Sequence, residues 1–213
     1  MNKGLTLRDV VITKGGAPLL RVSHEVAAGE VLSIMGPSGV GKSTLLAFIT
    51  GTLAPDFSAT GSVWLDGVDI THAPAHQRRV GILFQDDLLF PHLSVGANLA
   101  FGLRAGGTKS DRQAKIDAAL TEVGLEGFAG RDPATLSGGQ KARVALMRML
   151  LSEPCGLLLD EPFSRLDTAL RAQVRALVFA RAKARGLPVL MVTHDAEDAE
   201  AAGGDIVTLT PSP

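Results

Sequence analysis

Gly36-Pro37-Ser38-Gly39-Val40-Gly41-Lys42-Ser43-Thr44 is the stretch on which the reading of this chain turns. It satisfies G-x-x-x-x-G-K-[ST] at every fixed position, through Gly36, Gly41, Lys42 and Ser43. Glycines let backbone N–H groups close around phosphate oxygens. The lysine brings a point charge to the β- and γ-phosphates, and the serine offers a hydroxyl to Mg²⁺. The flanks separate this from a chance glycine-rich turn. Val31–Met35 is apolar and largely strand-like, and residues 45–49 suit a helix closed by Gly51. Strand, glycine-rich turn and helix N-terminus together make an anion site. The stretch reads as a nucleotide-binding loop.

Working outward, 213 residues suit one α/β domain with room for an inserted subdomain, and a hydrophobic fraction of 46% is ample for its core. A formal net charge of −1 gives no nucleic-acid footprint. Arg171, Arg175, Arg181, Lys183 and Arg185 cluster locally and read as one solvated helix face. Cys155 is the only cysteine, which rules out an intrachain disulfide and suits a reducing compartment. Residues 1–16 lack the apolar core of a signal peptide. No apolar run approaches the roughly 20 residues that span a bilayer. The expectation is a cytosolic protein that reaches any membrane through a partner.

Leu5 to Leu7 and Val10 to Ile12 are short β-prone pieces, broken by Gly15-Gly16 and Pro18. Residues 54–60 read as a loop, and 61–67 as a strand ended by an Asp66-Gly67 turn. His24 reads as structural, Trp64 as packed on a β edge, and His72 and His76 as solvated. Residues 80–84 read as a buried strand with Gln85 just past its carboxyl end, where ligand groups gather in open parallel sheets. Residues 86–155 turn helical: Ser110 and Gln113 have capping-box spacing, with Ile116, Leu120 and Val123 following on one face. Leu136-Ser137-Gly138-Gly139-Gln140 again places a capping-box pair before a helix, here from about Lys141 to Ser152. It is a second glycine-rich helix N-terminus able to hold an anion.

Leu157-Leu158-Leu159 is a short apolar strand that runs straight into Asp160-Glu161. Two carboxylates there are costly without a compensating cation. Mg²⁺ on Asp160 supplies one and leaves Glu161 to polarise a water. Leu170, Val174, Leu177 and Val178 then mark one face of a helix ended by Gly186 and Pro188. Residues 189–193 form another buried strand, and His194 stands at its end on the same sheet edge as the loop, Gln85 and Asp160-Glu161.

In this order the motifs resemble the ATP-binding subunit of ABC transporters across nearly the whole chain. Residues 36–44 are similar to its Walker A loop, Gln85 to the Q-loop glutamine, and 157–161 to Walker B with its catalytic glutamate. Residues 164–167 are similar to the D-loop and His194 to the switch histidine, while 136–140 is identical to the LSGGQ signature. The resemblance implies a P-loop NTPase core of mostly parallel sheet (1–85 and 156–213), with an N-terminal antiparallel β subdomain and an inserted helical subdomain (about 86–155). It implies no C-terminal regulatory domain. It also implies a head-to-tail homodimer in which Ser137, Gly138, Gly139 and Gln140 complete the partner's ATP site. Gly36, Pro37, Ser38, Gly39, Val40, Gly41, Lys42, Ser43 and Thr44 then hold ATP, and Ser43, Gln85 and Asp160 hold Mg²⁺ directly or through water. Glu161 acts as general base, His194 contacts the γ-phosphate, and Asp167 links the two sites.

Residues 85–95 look most like small importer ATPases of the thiamine, iron and sulfate group, including an uncharacterised thiamine-like system. That implies an integral-membrane permease docked near residues 85–93, a substrate-binding protein in the full system, and a place on the inner face of the membrane. Leu88, Leu89, Phe90 and Leu93 suit a groove for an amphipathic helix, or the interior of the helical subdomain, or both. A soluble ABC ATPase of nucleic acid or ribosomes is the competing reading, but its usual second nucleotide domain, coiled-coil insertion or basic surface is not visible. A small-molecule P-loop kinase has no need of LSGGQ, and a non-catalytic module would lack Glu161 or His194. Two departures stand out. Arg165 occupies a position that is small in many members, where it reaches across the dimer or faces solvent. There is no Tyr, and no aromatic precedes Phe48, so the expectation is a nucleotide held mostly by its phosphates, with weak ATP-over-GTP discrimination.

Overall fold

A computed structural model describes residues 3–210. Its strands are β1 (Gly4–Lys14), β2 (Ala17–Ala27), β3 (Val31–Met35), β4 (Phe57–Leu65), β5 (Val68–Asp69), β6 (Val80–Leu83), β7 (Gly156–Asp160), β8 (Val189–Val192) and β9 (Asp205–Thr208). They form an antiparallel sheet ordered β2-β1-β4-β5 and a second sheet ordered β6-β7-β8-β3-β9. In the second, β3 pairs in parallel with both β8 and β9, and β7 pairs in parallel with β8. The residue pattern accounts for the difference. β3, β7 and β8 are nearly continuous apolar runs buried along their length, as strands covered on both faces must be. β1 alternates buried with exposed residues, as a sheet with one dry face requires. The two short pieces expected at its ends are one strand. A bulge at Asp9, with φ 48°, shifts the register between them. β4 also begins earlier than expected, at Phe57, within the stretch read as a loop.

Backbone contacts divide the chain into two compact units: residues up to Ile82 with Cys155–Glu161 and from Phe179 onward, and Leu83–Pro154 with Pro162–Val178. In the first unit, α1 (Lys42–Thr50) buries Leu45, Leu46, Phe48 and Ile49, whose i, i+1, i+3, i+4 spacing makes one broad apolar face, with Ser43, Ala47 and Thr50 on the other side. Such a face must be packed against other elements. Its residues join one core with Leu5, Leu7 and Val63 of the antiparallel sheet and Leu32, Leu158 and Leu190 of the parallel one.

Arg78, 6% exposed, closes the carboxyl end of α1. Its guanidinium donates to the carbonyls of Phe48 (2.8 Å), Ile49 (3.0 Å), Thr71 (2.7 Å) and Ala73 (2.7 Å). Two of these are last-turn carbonyls, that of Phe48 shared with the Gly51 N–H (3.2 Å). Gly51 caps the helix at φ 78°, and a Cβ there would lie 2.6 Å from Arg78 Nε.

The second unit is helical: α2 (Val95–Gly102), α3 (Lys109–Glu122) and α4 (Gly138–Leu150), with the first part of α5 (Thr168–Ala184). α3 starts two residues earlier than the sequence pattern suggested. Thr108 and Asp111 form the capping box, and Ser110 and Gln113 lie inside the helix. α4 begins at Gly138 rather than near Lys141, because Ser137 is its N-cap. Along α5, Arg171, Arg175 and Arg181 are only half-exposed while Lys183 is exposed, so the basic face is not uniformly solvated as expected. The short α6 (Ala196–Ala202) precedes β9.

Arg78→Met keeps the bulk of the side chain but takes the guanidinium from the carbonyls of Ile49, Thr71 and Ala73 and leaves that of Phe48 with the Gly51 N–H alone. We expect a stability loss of about 2–4 kcal/mol, read as a fall in thermal midpoint of roughly 5–15 °C. An unchanged midpoint would show that the guanidinium is dispensable.

Candidate active site

The phosphate loop follows β3 and ends where α1 begins. Gly41 is the N-cap at φ 99°, and no side chain caps the helix. A Cβ at Gly41 would lie 2.7 Å from Leu20 Cδ2, so the left-handed turn and the close packing both demand glycine. The first-turn N–H groups therefore face the loop with no side-chain acceptor, the arrangement that favours an anion. Lys42 is buried at 7% exposure, and its ammonium donates to the carbonyls of Gly36 (2.6 Å) and Pro37 (3.0 Å). Ser38 and Gly39 are exposed at the crest of the loop.

Because β3, β7 and β8 run parallel, their carboxyl ends lie on one edge. Ser43 Oγ donates to Asp160 Oδ1 at 3.3 Å. Burial pushes the Asp160 carboxyl above the usual range and the Ser43 hydrogen bond pulls it back, while Glu161 raises it and Lys42 lowers it. Glu161 sits at φ 47°, a left-handed conformation uncommon for a side chain with a Cβ, and its N–H donates to Val192 O at 3.0 Å. Its Oε1 lies 3.1 Å from His194 Nδ1. His24 instead sits 3.1 Å from Asp205, Trp64 donates to Ser62 Oγ (3.0 Å), and His72 and His76 are exposed.

A hydroxyl beside a half-buried carboxylate is a hard-oxygen pair of the kind Mg²⁺ takes along with water and substrate phosphate oxygens. Among the described residues no group of three or more His, Cys, Asp or Glu could hold a metal, and such a site does not need one. The residues present fit the ion.

A cleft of about 400 Å³ opens over the loop, lined by residues of 38–44, by Glu161, and by Lys14, Leu19 and Phe57. The last three were not anticipated. Lys14 and Phe57 are cross-strand partners on β1 and β4.

The second unit carries the remaining sequence candidates. At the start of α4, Ser137 Oγ accepts from Gln140 N–H (3.4 Å) and Gln140 Oε1 accepts from Ser137 N–H (3.0 Å). Gly139 packs against α5, where a Cβ would lie 2.4 Å from Leu170, whereas nothing crowds Gly138. Gln85 is exposed, two residues past β6. Asp167 accepts from Leu170 N–H at 3.0 Å, the pattern of a helix cap. Arg165 forms an ion pair with Asp86 of its own chain, an arrangement the sequence reading did not foresee.

Residues 87–94 are clamped from below. Asn98, fully buried, accepts from Phe90 N–H (2.8 Å) and donates to the carbonyls of Phe90, Leu93 and Ser94 (3.1 Å each). Arg148 donates to the carbonyls of Leu88 (2.9 Å) and Asp87 (3.2 Å). Leu88 is left 54% exposed and Phe84 42% exposed, and Phe101 (69%) stacks edge-on against Phe90.

The family model described as ABC transporter matches residues 19–164. The chain belongs to the ABC transporter family. It is 51% identical over 183 residues (86% of this chain, 84% of the relative) to the uncharacterized ABC transporter ATP-binding protein YnjD of Escherichia coli. It is 47% identical over 199 residues (92% and 84%) to the thiamine import ATP-binding protein ThiQ of a Jannaschia species. It is 44% identical over 201 residues (92% and 58%) to the sulfate/thiosulfate import ATP-binding protein CysA of Caulobacter vibrioides. This ABC protein is an ATPase. No helix among its described residues is long and apolar enough to cross a membrane.

The raised Asp160 pKa fixes the sign of a stability test. Ionising a carboxyl whose folded-state pKa is raised costs stability as pH climbs through and above the carboxylate range. Asp160→Asn removes that cost. Its thermal midpoint without nucleotide or metal should match or exceed wild type at pH 7, with the advantage lost in acid, while ATPase activity falls at least about 100-fold. A lower midpoint at pH 7 would contradict the assignment.

Proposed function

We propose that this ATPase works as a homodimer on the inner face of a membrane permease. Head-to-tail closure around ATP would drive import of a substrate delivered by a binding protein. The observation that carries the reading is the pair of unlike helix N-termini in one chain. α1 begins with no side-chain cap above a buried lysine, while α4 begins with a capping box beside an uncrowded glycine. One is suited to hold phosphate. The other presents a hydroxyl that can still donate, because Ser137 Oγ is engaged as an acceptor.

In this reading Lys42 and the N–H groups of residues 36–44 hold the β- and γ-phosphates, and Ser137, Gly138, Gly139 and Gln140 of the second copy cover the γ-phosphate. Ser43 and Asp160 would hold Mg²⁺, with Gln85 as a further ligand in this reading, and the ion would offset the charge of the phosphates. Glu161 takes the proton of the attacking water. His194, 3.1 Å from Glu161, orients that carboxylate and reaches the γ-phosphate. Asp167 passes the state of one site to the other. Positioning and charge stabilisation do most of the work.

The exposed Phe84, Leu88 and Phe101, over the clamped segment 87–94, suit an amphipathic helix of the permease. Relatives of similar identity serve thiamine and sulfate/thiosulfate import, so cargo choice lies outside this subunit.

Glu161→Gln should lower hydrolysis by roughly 10²–10⁴-fold while ATP-dependent dimerisation persists, checked by phosphate release and light scattering. Unchanged turnover would sink the general-base role. Ser137→Arg should abolish turnover and leave ATP binding by the monomer intact; loss of monomer binding would contradict a role in the opposite subunit's site.

A further inference from the structure

Lys14 and Phe57 are the last register pair of the β1–β4 ladder, and the Lys14 ammonium lies 5.2 Å from the centroid of the Phe57 ring. Both line the cleft that opens over the phosphate loop. Leu19 lines the same cleft, and a Cβ at Gly41 would lie 2.9 Å from its Cδ2, which places this side chain beside the loop. Apart from glycines, Leu19 and Phe57 are the only apolar residues in that lining.

The geometry points to Phe57 as the surface on which the base stacks, so that β4 supplies the ring that β1 lacks. Phe57 is half-buried and anchored against the core, which holds the ring in place without covering it. Lys14 is exposed, on a flexible stem, and its contact with the ring is a loose one that a base can displace. Stacking needs only a π face, so it tolerates any base and adds little ATP-over-GTP preference. This assignment rests on the reading of the cleft as the ATP site.

The test is equilibrium binding of ATP and of inorganic tripolyphosphate to the wild type and to Phe57→Leu, Phe57→Trp and Lys42→Ala. Leucine keeps the apolar bulk at position 57 and removes the ring. F57L should weaken ATP by about 5- to 150-fold, the effect of losing one stacked base, and leave tripolyphosphate unchanged. F57W should restore ATP binding. The assignment is overturned if F57L binds ATP as tightly as wild type, or if it loses ATP and tripolyphosphate equally, which marks a structural role. Failure of the underlying reading looks different: the wild type would bind neither ligand, or K42A would bind both as well as wild type does.

Discussion

The enclosure of α1 is the constraint on which this structure depends. Leu45, Leu46, Phe48 and Ile49 give α1 one broad apolar face that must be buried, and both sheets of its unit contribute to the core that buries it. Once α1 is fixed, the place and direction of its first turn are fixed, and with them the unpaired N–H groups. Lys42 is drawn into the same rigid frame. A buried ammonium is expensive unless its donors are used, and the carbonyls of Gly36 and Pro37 use two of the three. The loop is thus tied by the charge it presents to phosphate.

Parallel pairing extends this logic to the acidic groups. Asp160 and Glu161 follow one strand and His194 follows its neighbour, so they reach the loop edge without any local sequence signal linking them. The edge holds stored cost as well as chemistry. Burial disfavours the charged form of Asp160, and Glu161 keeps a left-handed backbone that its own side chain disfavours. Both costs fall on the carboxylates proposed to meet a cation and a water, and strain tends to be kept at such sites.

What could be read from the chain was what is contiguous in it. The loop, the LSGGQ capping box and the carboxylate pair each carry their physics within a few residues, and the apolar runs of β3, β7 and β8 announce a covered sheet. Contacts set by register could not be read. Phe57 lines the cleft because β4 starts earlier than its polar surroundings suggest and pairs with the end of β1. Arg78 carries no signal in its neighbours; its role depends on which carbonyls α1 leaves open. At α3 two hydroxyl residues competed for one cap, and Thr108 took it, directly after the Gly106-Gly107 break. The half-exposed arginines of α5 show that a row of charge in sequence does not establish solvation.

The surface after Gln85 combines two kinds of tie. Asn98 is fully buried and spends both ends of its amide on the backbone of residues 90–94, and Arg148 is partly desolvated while it holds Asp87 and Leu88. Breaking either leaves buried polar groups unpaired, so this support is stiff. The Arg165–Asp86 pair is exposed on both sides, where an ion pair contributes at most about 1 kcal/mol. Such a contact can open at little cost. The apolar residues that face outward therefore rest on a rigid base, while Asp86, beside that base, meets Arg165 through an ion pair that can open and close.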